Sequence, residues 1–357
     1  MEQEGILTEA VEYFDDFLIE DRYDSAVAQS KANARAMLLP MVIITIQTIK
    51  LKKILVIIII FITISIFFAF IHKKISLNFL DIKGTVIDLE QDEFYHNSRK
   101  IKKVKLLHSY LGDINLAISF PQNYSKEVLP VLFILGGVET GLKSVKHVSD
   151  IGNNILVGFD WPISDNDLES KEIIPNLNGL YKKIFYSPKQ AAVAIEWISK
   201  QNWAEDRISL LGFSIGSIVV PSVQRLLENR KNVKVKFTVL AYGGTNIGLL
   251  INRNPYIKPK WLKPFLGWFI QIIFNPIDPK ENLPHISGNF LIINGKEDNL
   301  IPLKSSLLMQ ELTPLPKKII LLDGEHMGVG KQQKELLNTI IEKTRKWLIE
   351  NDAINNS

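Results

Sequence analysis

From about residue 84 onward, short β-branched runs alternate with amphipathic helical stretches, and few arrangements accommodate that rhythm. The runs VLFIL (131–135), NILVGF (154–159), RISLL (207–211), KFTVLAY (236–242), FLIIN (290–294) and KIILL (318–322) are apolar on both faces, as strands inside a parallel sheet are. Between them, SPKQAAVAIEWISKQ, SIGSIVVPSVQRLLEN, PLKSSLLMQEL and KQQKELLNTIIEKTRKWLIE carry apolar residues at i, i+3, i+4 spacing. Two earlier runs, KVKLLHSY and INLAISF, flank Leu111-Gly112-Asp113 and read as a hairpin. The pattern predicts an α/β domain over 84–352: a mostly parallel, eight-stranded sheet with helices on both faces.

The interval 243–288 breaks the rhythm. It holds Trp261, Phe265, Trp268, Phe269, Ile272, Ile273 and Phe274 among Pro255, Pro259, Pro264, Pro276 and Pro279. A structureless loop of that length is rare in a compact domain, so a small helical lid insertion is expected there. Its aromatic residues either form their own core or line a substrate pocket.

Upstream, Ile54 to Ile71 carries no charge and is bracketed by Lys50, Lys52, Lys53, Lys73 and Lys74. As a helix it would reach roughly 27 Å, the thickness of a bilayer's hydrocarbon core. The reading is a single-pass membrane anchor over 41–75, with a transmembrane helix at about 54–71. Lysine and arginine counts on its two sides favour an extracytoplasmic main domain. Residues 1–40 form an acidic, partly helical tail with a second, alanine-rich helix ending at Pro40; the alternative is a true start at Met37 or Met41.

With 357 residues, 46% hydrophobic, the chain is long enough for one sizeable domain plus an appendage. The net charge of +4 is dispersed apart from Arg99 to Lys105, so no nucleic-acid partner is expected. That cluster reads as the solvated start of a strand. The absence of cysteine removes thiol nucleophiles, disulfides and cysteine-ligated metals. No nucleotide or metal motif is present, and no cofactor is expected.

Gly212-Phe213-Ser214-Ile215-Gly216 matches G-x-S-x-G, with Gly212 and Gly216 where a strand reversing into a helix leaves no room for a Cβ. Glycine and serine are common enough to make the pattern alone weak evidence. It follows a strand run and opens a helical one, which is the setting it requires; a serine at an ordinary helix start is the alternative. A serine hydroxyl needs a base to become nucleophilic. Of six histidines, only His326 follows a late strand directly, whereas His72, His96, His108, His147 and His285 do not. The imidazole in turn needs an acid to orient it. Asp298 lies just past the preceding strand, with Glu297, Asp323 and Glu325 as competitors and a helix N-cap as its alternative role. The amides of Ile215 and Gly137, with Val138 next to it, are the expected donors to a developing oxyanion.

The order Ser214, Asp298, His326, with the loops GKEDNLIP and DGEHMG, resembles the α/β-hydrolase superfamily from about residue 100 to the C-terminus. Serine esterases and lipases and the dienelactone-hydrolase-like branch are the members it is most similar to. The resemblance implies a nucleophile after the fifth strand, an acid after the seventh, a histidine after the eighth and a lid after the sixth. It also implies a serine hydrolase acting on a small ester or lipid-like substrate through an acyl-enzyme. An acyltransferase, thioesterase or peptidase would use the same residues, and a non-catalytic binding protein could retain the fold. Many members carry His-Gly before the oxyanion loop, where this chain has Leu135-Gly136.

Overall fold

The computed structural model describes all residues except 1–24, 90–91, 123, 126, 138–139, 149–150, 164–176, 232, 254–259, 328–332 and 357. The acidic first part of the expected tail therefore lies outside the described residues, as do Val138, Pro255 and Pro259. The chain divides into two units, Met1–Phe67 and Phe68–Ser357.

Helix α1 spans Ser25–Phe79 without ending at Pro40, which sits inside it. Its hydroxyl side chains turn back onto the helix: Thr45 donates to the Met41 carbonyl at 2.8 Å and Ser65 to that of Phe61 at 2.7 Å. Among the described residues no helix is long and apolar enough to cross a membrane, which corrects the expected transmembrane helix at 54–71. The apolar run is not a helix of its own; it is one stretch of a longer element that also takes in the basic residues on both sides of it.

The second unit is built on a mixed sheet. Its strands are β1 (Val86–Leu89), β2 (Glu93–His96), β3 (Arg99–His108), β4 (Gly112–Phe120), β5 (Leu129–Leu135), β6 (Ile155–Phe159), β7 (Ala204–Phe213), β8 (Phe237–Ala241), β9 (Asn289–Gly295) and β10 (Lys317–Leu322). The order is β1-β3-β4-β6-β5-β7-β8-β9-β10, with β2 on β3. From β6 to β10 neighbours run parallel, while β1 to β4 are antiparallel. The expectation of eight strands is thus corrected to ten among the described residues, the additions being the short β1 and β2. These are four residues each and lack a buried apolar face, so they carry little of the periodicity that marks a strand.

Helices α2 (Leu177–Ile198), α3 (Ile215–Arg230) and α6 (Leu303–Leu312) pack on one face of this sheet and α7 (Gln333–Glu350) on the other. Successive residues of β5 divide between the two cores: Val131, Phe133 and Leu135 face α2 and α3, and Leu132 and Ile134 face the other way. The basic cluster is less solvated than expected. Arg99 is buried, donates to Ser119 and to the carbonyls of Gly152 and Asn154, and burial alone pulls its pKa down to about 10.

The insertion after β8 contains α4 (Ile247–Arg253) and α5 (Lys263–Phe274). Ile273 and Phe274 pack onto the main core, with Phe274 stacked on Phe185 at 5.7 Å, whereas Trp261 is 77% exposed. The fully buried Asp278 moors this segment. Its carboxylate accepts from the backbone of Asn246 (3.0 Å), Ile247 (2.8 Å) and Lys280 (2.8 Å) and from Gln271 Nε2 (2.9 Å). Removing those acceptors takes the partner from four part-buried donors, at a cost of up to about 1–3 kcal/mol for each that water does not reach. Asp278→Ala is therefore expected to destabilise the unit by several kcal/mol in a denaturant titration, and to loosen amide-exchange protection in 246–274 first.

Candidate active site

β7 ends at Phe213 and α3 begins at Ile215, so the reversal falls on Ser214 alone. Ser214 adopts φ 54° and ψ −118°, a conformation that costs energy for any residue with a side chain. The two glycines make the turn possible. A Cβ on Gly216 would coincide with the Leu135 carbonyl, and one on Gly212 would lie 2.6 Å from Ser217 Cα. Ser214 stands in the N-cap position but its hydroxyl makes no capping bond, which sets aside the ordinary helix-start reading. It is instead 2.9 Å from His326 Nε2.

His326 follows β10 and is 4% exposed. Its Nδ1 is 2.8 Å from Asp298 Oδ2, and both side chains are almost wholly shielded. An ionised carboxylate only accepts, so Nδ1 carries the proton and Nε2 presents a lone pair to the serine hydroxyl. The other carboxylate oxygen of Asp298 accepts from the backbone of Leu300 (2.9 Å) and Ile301 (2.8 Å). The residue is therefore not a helix N-cap, that position of α6 being Pro302: one oxygen shapes the loop before α6 and the other meets the imidazole. The competitors stand apart from the histidine. Glu297 and Glu325 are exposed, and Asp323 pairs with Lys296 at 2.7 Å.

Backbone bonds hold the two loops together. Lys296 N donates to the Leu322 carbonyl (2.9 Å) and Glu297 N to that of Gly324 (3.3 Å). Between them sits Tyr242, a residue that the sequence reading passed over. It is fully buried, at φ 56°, with its ring 5.7 Å from that of His326 and nearly perpendicular to it. Burial, and secondarily the Asp298 charge, push its phenol up to about 12. The Tyr242 hydroxyl has no hydrogen-bond partner among the described residues. The one available signal was Tyr242-Gly243-Gly244 at a strand end, where glycines admit close packing; a Cβ on Gly295 would lie 2.8 Å from the Tyr242 ring.

The loop after β5 lies beside the serine. Leu135 pairs with Gly212, so Gly137 and Ser214 are each two residues beyond paired positions. The Gly137 carbonyl accepts from Thr140 N (3.0 Å) and Thr140 Oγ1 (2.7 Å), and Trp161 Nε1 donates to the Gly136 carbonyl (3.2 Å). Ile215 opens α3 and is 36% exposed. Among the described residues there is no cluster of side chains able to hold a metal ion.

Solved structures show where this architecture recurs. An acetyl xylan esterase from a Paenibacillus species superposes with a TM-score of 0.54 at 14% identity, covering 77% of this chain and 94% of that one. Acetyl xylan esterase 1 from a Thermoanaerobacterium species gives 0.51 at 16% identity, covering 76% and 93%. The fold is that of the α/β hydrolases. Carboxyl esterase 2 from the mycorrhizal fungus Tuber melanosporum gives 0.50 at 15% identity over 72% of this chain and 89% of that one. No protein-family model matches the chain, and no curated protein sequence matches it significantly. In α/β-hydrolase terms β3 to β10 are the eight expected strands, which puts Ser214, Asp298 and His326 after the fifth, seventh and eighth of them.

The elbow's tolerance is open to a direct measurement. Gly216→Ala forces a methyl into the Leu135 carbonyl and is expected to cost about 3 kcal/mol or more in thermal unfolding. Gly179→Ala, in α2 with nothing near its Cβ, is expected to stabilise by about 0.5–1 kcal/mol.

Proposed function

We propose that the chain is a serine hydrolase that cleaves carboxylic esters through an acyl-enzyme intermediate. The observation that carries the reading is the unbroken relay from an uncapped serine hydroxyl to a buried imidazole to a buried carboxylate, at 2.9 and 2.8 Å. Ser214 Oγ attacks the ester carbonyl as its proton passes to His326 Nε2. The resulting imidazolium is stabilised by Asp298, and the oxyanion is met by the amides of Gly137 and Ile215, the latter reinforced by the α3 N-terminus. His326 returns the proton to the departing alkoxide. A water molecule then gives a proton to His326 as its oxygen attacks the acyl carbon; collapse expels Ser214, which recovers its proton, and the carboxylic acid leaves.

The acyl group we infer is apolar. The insertion begins at the strand end that carries Tyr242 and leaves Trp261, Phe265 and Trp268 exposed, a surface that favours hydrocarbon over water. The named esterases support a small ester substrate by likeness of fold alone.

Hydrolysis of p-nitrophenyl esters of graded acyl length tests the reading. Ser214→Ala is expected to lower kcat by at least ~10⁴-fold and Asp298→Asn by about 10²–10⁴-fold, while kcat/KM rises from acetyl to longer chains. Tyr242→Phe loses only an unpartnered hydroxyl and is expected to keep kcat within about threefold. Unchanged turnover in Ser214→Ala would refute the mechanism. A preference for acetyl over longer chains would refute the acyl assignment and leave the mechanism standing.

A further inference from the structure

The residue before the loop that follows β5 offers it no polar side chain, because Leu135 is apolar and fully buried. Among the described residues two side chains bond to the loop instead, Thr140 to the Gly137 carbonyl and Trp161 to the Gly136 carbonyl. They are not equivalent. The Gly137 carbonyl also accepts from the amides of Thr140 (3.0 Å) and Gly141 (3.4 Å), so the loop's own backbone holds it. The Gly136 carbonyl accepts from the Trp161 indole, at 3.2 Å, and from no other described group.

The direction of that one bond fixes the direction of an amide. The Gly136–Gly137 peptide is trans, so its carbonyl and its N–H point opposite ways. β5 lies between β6 and β7, and the carbonyls at its end turn to each side in succession. The Leu135 carbonyl is the group that Gly216 comes up against just past the β7 elbow, and the next carbonyl, that of Gly136, meets the indole that follows β6. The Gly137 N–H is thereby aimed back to the β7 side, where Ser214 stands. It donates to no described residue, which leaves its hydrogen for a ligand.

The indole has little freedom of its own. It is buried and meets the Phe159 ring edge-on at 5.7 Å, and Phe159 in turn lies 6.1 Å from the ring of Phe133 on β5. The backbone before it is tied as well, Asp160 N donating to the Asn115 carbonyl at 3.0 Å. We propose that Trp161 is a positioning residue of the oxyanion hole: by holding the Gly136 carbonyl it sets the plane of the peptide whose amide meets the tetrahedral intermediate. The role presupposes the acyl-enzyme mechanism and the Gly137 amide as a donor. A donor held in advance by a rigid ring needs no reorganisation as charge develops, and a hydrogen bond at the carbonyl end polarises the peptide so that its N–H donates more strongly. A tryptophan that merely satisfied its own N–H in the core would leave the reaction rate unaffected when that N–H is removed.

Replacing Trp161 in the full chain by 3-benzothienylalanine puts sulfur where the N–H is and keeps the bicyclic ring, so the core stays filled. That variant is expected to lower kcat for p-nitrophenyl esters by about 10–10²-fold with KM within about twofold, since the oxyanion exists in the transition state and not in the bound ester. Affinity for an alkylboronic acid, which forms an anionic tetrahedral adduct on the serine, is expected to fall by a similar factor. Trp161→Phe is expected to show the same split with an added loss of thermal stability. Trp203→Phe, just before β7 at the other end of the sheet and packed edge-on against Phe120, is expected to lose stability alone. Unchanged kcat in the benzothienyl variant, or a lower kcat without the parallel loss of boronate affinity, would overturn the positioning role. A folded wild type that neither turns over the esters nor reacts with a fluorophosphonate would instead overturn the mechanism that the role presupposes.

Discussion

The contact on which the site depends is that between the turn after β7 and the end of β5. Gly216 lies so close to the Leu135 carbonyl that only hydrogen fits between them. That closeness lets β7 reverse into α3 across a single residue, holding Ser214 at φ 54° with its hydroxyl turned away from the helix it precedes. The same contact brings the β5 loop alongside the serine. The strain at Ser214 is offset by the buried parallel strands on either side, whose side chains are almost wholly removed from water.

The second half of the site is assembled differently. Asp298 and His326 sit on separate loops, and their spacing is set by backbone bonds between those loops and by the Tyr242 ring beneath the imidazole. A ring in perpendicular contact restricts the imidazole without competing for its nitrogens, which are already engaged by Asp298 and Ser214. Strand order explains why this is possible: β7, β8 and β9 are adjacent, so Ser214, Tyr242 and the Asp298 loop emerge side by side at one end of the sheet.

Much of this was legible because it rests on strong local rules. The six strand runs from 131 to 322 and the helices between them were readable from apolar runs and helical periodicity, and so was the hairpin of β3 and β4, although its turn falls at 109–111 and Gly112 and Asp113 already belong to β4. Asp298 and His326 could be singled out because each directly follows a strand. Features decided by three-dimensional neighbours were hidden. The exposure of β10 follows from its place at the edge of the sheet, which composition does not encode, and β1 and β2 are too short to show a period. Tyr242 looked like the last residue of a strand, and the burial of Arg99 depends on carbonyls 53 and 55 positions away. The apolar run at 54–71 gave a strong signal of its own, but residues on both sides of it continue the same helix.

The central claim is that Ser214 is the atom-bearing nucleophile, and the most direct measurement is the location of a covalent adduct. The protein is treated with a fluorophosphonate, digested and mapped by mass spectrometry. The account predicts one adduct per chain, on Ser214, that forms far more slowly in a His326→Gln variant. An adduct on another residue, or none on folded protein, would contradict it.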